Sequence, residues 1–137
     1  MTSIKYSDIN FSFSKNNLSN DVNIRTNENA IKQSIKNILL TRKGERPFRD
    51  NIGANIHNVL FENFNISNTV SLYSTIRNQI HSFEPRVTID DIIFDDSLKD
   101  SLIDSNILSL EIIFSYVTGT NREPIQDRLT VGIERVR

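Results

Sequence analysis

Four sets of side chains in this 137-residue sequence have types and spacings that could do chemistry or recognition. The first is a pair of carboxylates, Glu62 and Glu84, each beside an apolar stretch. Glycoside hydrolysis needs two such groups about 5–9.5 Å apart across a sugar-binding cleft. The chain has no Trp and three Tyr to build a stacking platform, and among 17 acidic residues incidental pairs arise easily, so surface carboxylates are the simpler reading. The second set is His57 and His81, each on a predicted helix with no His or acidic residue four positions on, a spacing that holds no zinc ion. No glycine-flanked serine elbow accompanies them. No catalytic residue, metal site or cofactor site is assigned from these patterns.

The third set is basic. Arg42, Lys43, Arg46 and Arg49 could grip phosphate, but Glu45 and Asp50 interrupt the run and no interleaved aromatics follow it, as single-strand binding requires. A loop that pairs with protein carboxylates fits better, because a guanidinium makes paired, planar hydrogen bonds that fix a partner's register. The fourth set is Glu84-Pro85-Arg86. Pro85 fixes a backbone torsion where a helix gives way to a strand. The two charges then either stand out from a stiff corner that loses little entropy on docking, or bond locally and hold the junction.

The elements that carry these groups follow from periodicity. Residues 1–27 are rich in Ser and Asn, and Phe11-Ser12-Phe13 and Val22-Asn23-Ile24 alternate with period two. They read as an extended amino-terminal arm with one or two short strands, or as a flexible tail. Residues 28–137 form the domain proper. Ile31, Ile35, Ile38 and Leu39 make one stripe of a helix over 28–42. Asn27 or Thr26 is placed to cap its start, and Arg42 and Lys43 to complement its far end. A short helix carries Ile56, Val59 and Leu60. A third opens near Ser67, with Val70, Tyr73, Ile76, Ile80 and Phe83 as its stripe, and stops at Pro85.

Beyond Pro85 the period becomes two. Val87, Ile89 and Asp91 share one face of a first strand that ends near Phe94, and a polar loop runs over 95–105. A long strand over 106–118 puts Leu108, Leu110, Ile112, Phe114 and Tyr116 on one face. After a turn at Gly119, a last strand alternates Ile125, Leu129, Val131 and Ile133 with polar residues. About three helices followed by an antiparallel β-meander make an α+β domain. The last strand lies at a sheet edge available for strand addition. Arg128, Glu134, Arg135 and Arg137 either guard that edge or leave it open to a partner's strand.

Composition narrows the function classes. A formal net charge of −1 lacks the basic surplus of a dedicated nucleic-acid binder. Zero cysteines exclude disulfides and thiol chemistry. The apolar runs are too short for a helix to cross a bilayer, and Met1 to Asn10 lack the cationic and apolar regions of a secretory signal. A soluble intracellular domain with neither nucleic-acid nor membrane partners is expected.

Thr41-Arg42-Lys43-Gly44-Glu45-Arg46-Pro47-Phe48, then Gly53, Leu60-Phe61-Glu62 and Glu84-Pro85-Arg86 occur in the order and spacing of one family. Over about residues 28–135 the chain resembles the baseplate wedge proteins of contractile phage tails, the sheath initiators typified by the T-even gene-25 product. TssE of type VI secretion systems is a more distant relative. The stretch Asp50-Asn51-Ile52-Gly53 departs from the phage branch, where an aromatic residue often precedes the glycine. The resemblance implies a non-enzymatic structural subunit in the virion tail baseplate, put together in the host cytoplasm. Its sheet would accept extended arms of the tail sheath protein and so start sheath polymerisation. It also implies that Glu84, Pro85 and Arg86 contact wedge core proteins, with the tail tube nearby. Arg42, Arg46, Leu129, Val131 and Ile133 complete the expected protein-interaction set. The alternatives are a peptidoglycan hydrolase of the baseplate, or the equivalent subunit of a type VI secretion system or tail-derived particle.

Overall fold

The structure is a computed structural model that describes residues 6–10, 12–18, 21–59, 66–95, 107–118 and 121–134. Leu60 to Glu62, the 96–105 loop, Gly119, Arg135 and Arg137 lie outside the described residues. Two short strands, β1 (Ser7–Ile9) and β2 (Ile24–Thr26), come first. Helices α1 (Glu28–Leu40), α2 (Ile56–Val59) and α3 (Ile66–Phe83) follow, then strands β3 (Val87–Asp95), β4 (Ile107–Thr118) and β5 (Asn121–Glu134). The fold is α+β, with one antiparallel sheet in the order β3-β4-β5 and a separate β1-β2 ladder.

The α1 stripe of Ile31, Ile35, Ile38 and Leu39 is buried as its period predicts. Both ends of the helix differ from expectation. Asn27 precedes it at φ 51° and makes no side-chain cap; its carbonyl instead accepts from the Ile31 amide at 3.1 Å. The helix stops at Leu40, so Arg42 and Lys43 stand beyond its last turn, in an exposed loop. On α3 the buried row is Leu72, Ile76 and Ile80, one step every four residues, and Val70 is 64% exposed. Tyr73 and Phe83 pack half-buried beside that row. The face of α3 is thus set by the core it covers, which Leu72 joins and Val70 does not.

The sheet supplies the other half of the core: Val87, Ile89, Ile92, Leu110, Ile112, Phe114, Tyr116, Val131 and Ile133. In β3 the alternation breaks. Ile89 pairs with Phe114 and Asp91 with Ile113, leaving Asp90 as an extra residue. This bulge resets the phase, so Ile92 faces the core and Asp91 does not. Strict alternation puts Asp91 on the Val87 face, because nothing local marks an inserted residue. Asp90 uses its position well. Its carboxylate accepts from Ser115 of β4 at 3.2 Å and from Gln126 of β5 at 3.1 Å, spanning the solvent face of all three strands.

The described part of the amino-terminal segment is paired, not a free tail; Phe11 lies outside the described residues, and Ser12 and Phe13 are not in a strand. Ser7, Asp8 and Ile9 pair with Thr26, Arg25 and Ile24, and a further bridge joins Lys15 to Val22. The ladder is held on α1, where the Gln33 amide donates to the Ile9 carbonyl at 2.6 Å.

Candidate protein-interaction surface

The expected site residues fall into three places. The first is the corner between α3 and β3. The Glu84 amide still bonds back to the Ile80 carbonyl at 2.7 Å, and Pro85 has no amide with which to extend the helix. Arg86 then lies within reach of Glu84. The Arg86 guanidinium grips both Glu84 oxygens, Nε to Oε1 and Nη2 to Oε2, the latter at 2.6 Å. The Glu84 side chain is only 3% exposed and that of Arg86 31%. The pair is therefore turned inward, and the corner shows Pro85 and part of Arg86 to solvent. Of the two readings of this tripeptide, the geometry has the local bond; burial forces it, since an unpaired carboxylate there would be strongly unfavourable. The hydrogen bond to Glu84 is also the main cause of a raised Arg86 pKa, opposed by partial burial.

Arg86 has a third neighbour that sequence spacing did not suggest. Its guanidinium carbon stands 4.9 Å from the centroid of the Tyr6 ring, a cation–π distance. The Tyr6 hydroxyl reaches the Val117 carbonyl of β4 at 3.4 Å. The corner is thus closed on one side by the amino-terminal segment, through residues 80 positions apart. No local signal could have disclosed it.

The second place is the loop between α1 and α2. Arg42 and Arg46 are exposed there, as are Lys43 and Arg49. The loop base is tight. Gly53 sits at φ +130°, and a Cβ at that position would lie 2.4 Å from the Thr41 carbonyl oxygen. Only glycine admits that approach. The Gly53 amide donates to Gln79 of α3 at 3.0 Å, which fastens the loop to the helix layer.

The third place is the outer side of β5. Its register with β4 runs without a break from Ile107↔Glu134 to Tyr116↔Ile125. Val131 and Ile133 are buried in the chain's own core, Leu129 is half-buried, and Ile125 is exposed at the sheet end. Among the described residues no strand pairs with the other side of β5. Two charges of the strand are engaged within the chain: Arg128 pairs with Glu111 on β4 at 3.2 Å, and Asp127 with Lys32 on α1 at 2.7 Å. Between α1 and β5 opens a groove of about 470 Å³, lined by Lys32, Lys36, Leu40 and Leu129 with Asn10 and Ser12 at its rim.

Comparison with known proteins bears on this arrangement. A family model described as baseplate wedge protein gp25 matches residues 25–121. The baseplate wedge protein gp25 of Enterobacteria phage T4 is 31% identical over 115 residues, covering 82% of this chain and 80% of that protein. The chain belongs to the gp25 family of baseplate wedge proteins. Solved structures agree on the fold. A chain in the baseplate of the anti-feeding prophage superposes with a TM-score of 0.68 at 22% identity, over 80% of this chain and 84% of that one. A Geobacter sulfurreducens protein described as a tail lysozyme superposes with a TM-score of 0.64, also at 22% identity, over 80% and 92%. Within this gp25-family fold, β5 reaches 13 residues beyond the stretch that the family model matches.

Proposed function

We propose that this chain is a structural, non-enzymatic baseplate subunit that joins the baseplate to the contractile sheath and starts sheath assembly by strand addition at β5. Family membership supports the baseplate role. The observation that carries the sheath role is the outer side of β5, a 14-residue strand with no pairing partner there among the described residues, whose Asp127 and Arg128 are engaged with α1 and β4. An incoming extended segment would gain main-chain hydrogen bonds along that strand, which give affinity. Every second side chain would enter the groove beside Leu129, which gives specificity. The corner and the basic loop serve a different partner. Pro85 and the exposed part of Arg86 face the wedge core, Glu84 holds the guanidinium in place, and Arg42 and Arg46 pair with carboxylates. Val131 and Ile133 act indirectly, by holding β5 against the core.

Hydrolysis fits this geometry poorly, because both oxygens of Glu84 are occupied by Arg86. The decisive test is Leu129→Lys, which places a charge where the added strand's side chains would enter while sparing the buried residues. Baseplates carrying this variant are expected to form at normal yield and to nucleate sheath at least tenfold less often, counted by electron microscopy. Normal sheath on Leu129→Lys baseplates would remove β5 as the receiving strand. Turbidity clearing of cell walls by the purified chain, lost in Glu84→Gln, would replace the structural reading with the hydrolytic one.

A further inference from the structure

The loop between α1 and α2 contains a conformation that its own stability does not explain. The Arg49 amide donates to the Arg46 carbonyl at 3.2 Å, closing a four-residue turn with Pro47 and Phe48 at its centre. Proline suits the first central position. The second has φ +66°, the pattern of a type II turn, where glycine or asparagine is the residue the backbone favours. A bulky aromatic there is a genuine outlier. Phe48 is also the most exposed apolar side chain among the described residues. A strained backbone and a fully solvated phenyl ring both raise the free energy of the isolated chain, and such outliers concentrate where a partner is engaged.

The surroundings define that partner. Arg42, Lys43, Arg46 and Arg49 share the loop with Phe48, all exposed, and among the described residues none of the four forms an ion pair. Of the two acidic residues in the loop, Glu45 already accepts from the Arg42 amide at 2.9 Å. The backbone is prearranged. The Gly44 amide donates to the Asp50 carbonyl at 2.9 Å, the Glu45 amide to the Arg42 carbonyl at 3.1 Å, and the Ile52 amide to the Arg49 carbonyl at 3.3 Å. With Gly53 wedged against Thr41, little freedom is left to lose on docking.

We propose that Phe48 is an anchor that enters an apolar cavity ringed by Asp and Glu carboxylates on a neighbouring protein, with the arginines of its loop setting the orientation. A buried aromatic centre within a ring of charge-assisted hydrogen bonds is the usual make-up of an interface hot spot. A nucleic acid is the weaker occupant, because one aromatic residue gives one stacking platform where a bound strand would use several. The inference deepens the baseplate reading by naming the chemistry of a second partner, and it does not depend on strand addition at β5.

The test replaces Phe48 in the full chain with photoreactive p-benzoylphenylalanine and irradiates cells that produce the protein with its neighbours. The expected result is an adduct to one protein, mapped by mass spectrometry to a peptide with apolar residues flanked by Asp or Glu. Its yield should fall at least tenfold with Arg46→Glu plus Arg49→Glu. In parallel, Phe48→Asn relieves the turn, so the purified chain should unfold at an unchanged or higher temperature while binding the mapped partner about 30-fold more weakly. Adducts to nucleic acid, to a peptide without carboxylates, or to no partner overturn the proposal, as does a yield indifferent to charge reversal. Sheath nucleation scored through Leu129→Lys tests the β5 reading separately, so the two ideas fail independently.

Discussion

The two borders of the sheet differ in chemistry although they belong to one meander. The β3 border is bulged at Asp90, shows Asp90 and Asp91 to solvent, and is flanked by Arg77, Asn78 and His81 of α3 around a cavity of about 360 Å³. A bulge and adjacent charges are standard ways to stop a strand edge from pairing with another chain. The β5 border keeps an unbroken register against β4 from Glu134 to Ile125, with an irregularity only beyond Tyr116, and Asp127 and Arg128 on it are tied to α1 and β4. On the proposed reading, one border is blunted and the other left for a partner, so that the sheet would accept one added strand in one place, as a template for ordered assembly requires.

The comparison breaks first, and most heavily, if the inner face of β5 is a docking face instead of core. Val131→Asp puts a carboxylate where the side chain is 2% exposed. It should cost about 3–5 kcal/mol in urea unfolding, through loss of packing and burial of an unpaired charge. A loss below about 1 kcal/mol would mean that β5 is not held by the core, and the contrast between borders would lapse. For the same reason, cutting the chain before β5 exposes the core and cannot isolate the border's role.

A middle-sized effect tests the bulge. Deleting Asp90 keeps Val87, Ile89, Ile92 and Phe94 in one phase, so the core face of β3 survives. The variant loses the bonds to Ser115 and Gln126, worth about 1–2 kcal/mol. With a regular outer strand it should also self-associate, seen as dimers or larger species by analytical ultracentrifugation at concentrations where the parent is monomeric. A monomeric deletion variant would show that the bulge is not the guard.

The smallest effect concerns Tyr116, on β4 beneath the β5 side. Burial raises its pKa, and the nearby Glu28 and Asp127 raise it further. The folded state thus holds the phenol proton more tightly than the unfolded chain, whose phenol titrates near about 10. The stability this contributes is complete below that pH and is lost as pH rises through it toward the higher folded value. Stability measured in urea from pH 8 to pH 11 should fall less in Tyr116→Phe than in the parent. Equal slopes would show that the packing of α1 over β5 does not keep this hydroxyl protonated.

Much of the fold could be read along the chain. The α1 stripe, the stop at Pro85 and the inward row on β4 depend on neighbours within a turn or a strand, where side-chain periodicity is set by backbone geometry alone. The site was legible in part. Glu84-Pro85-Arg86, the basic loop and the terminal strand were all located, but the inward turn of Glu84 depends on how α3 lies against the sheet. Phe48 stood within the resemblance motif without being singled out there. Its positive φ belongs to the closed loop, which exists only once Gly53 has met Thr41.

The sequence alone determined the order of helices and strands and most of the buried residues, Val70, Leu72 and Asp91 being among the exceptions, because amphipathic periods are local and each element must hide one face. Only the tertiary structure decided that Tyr6 lies over Arg86, that Asp90 bridges three strands, and that no described strand pairs with the outer side of β5. Those facts join residues far apart in the chain. Their energies come from contacts that packing creates, and no window of neighbouring residues contains them.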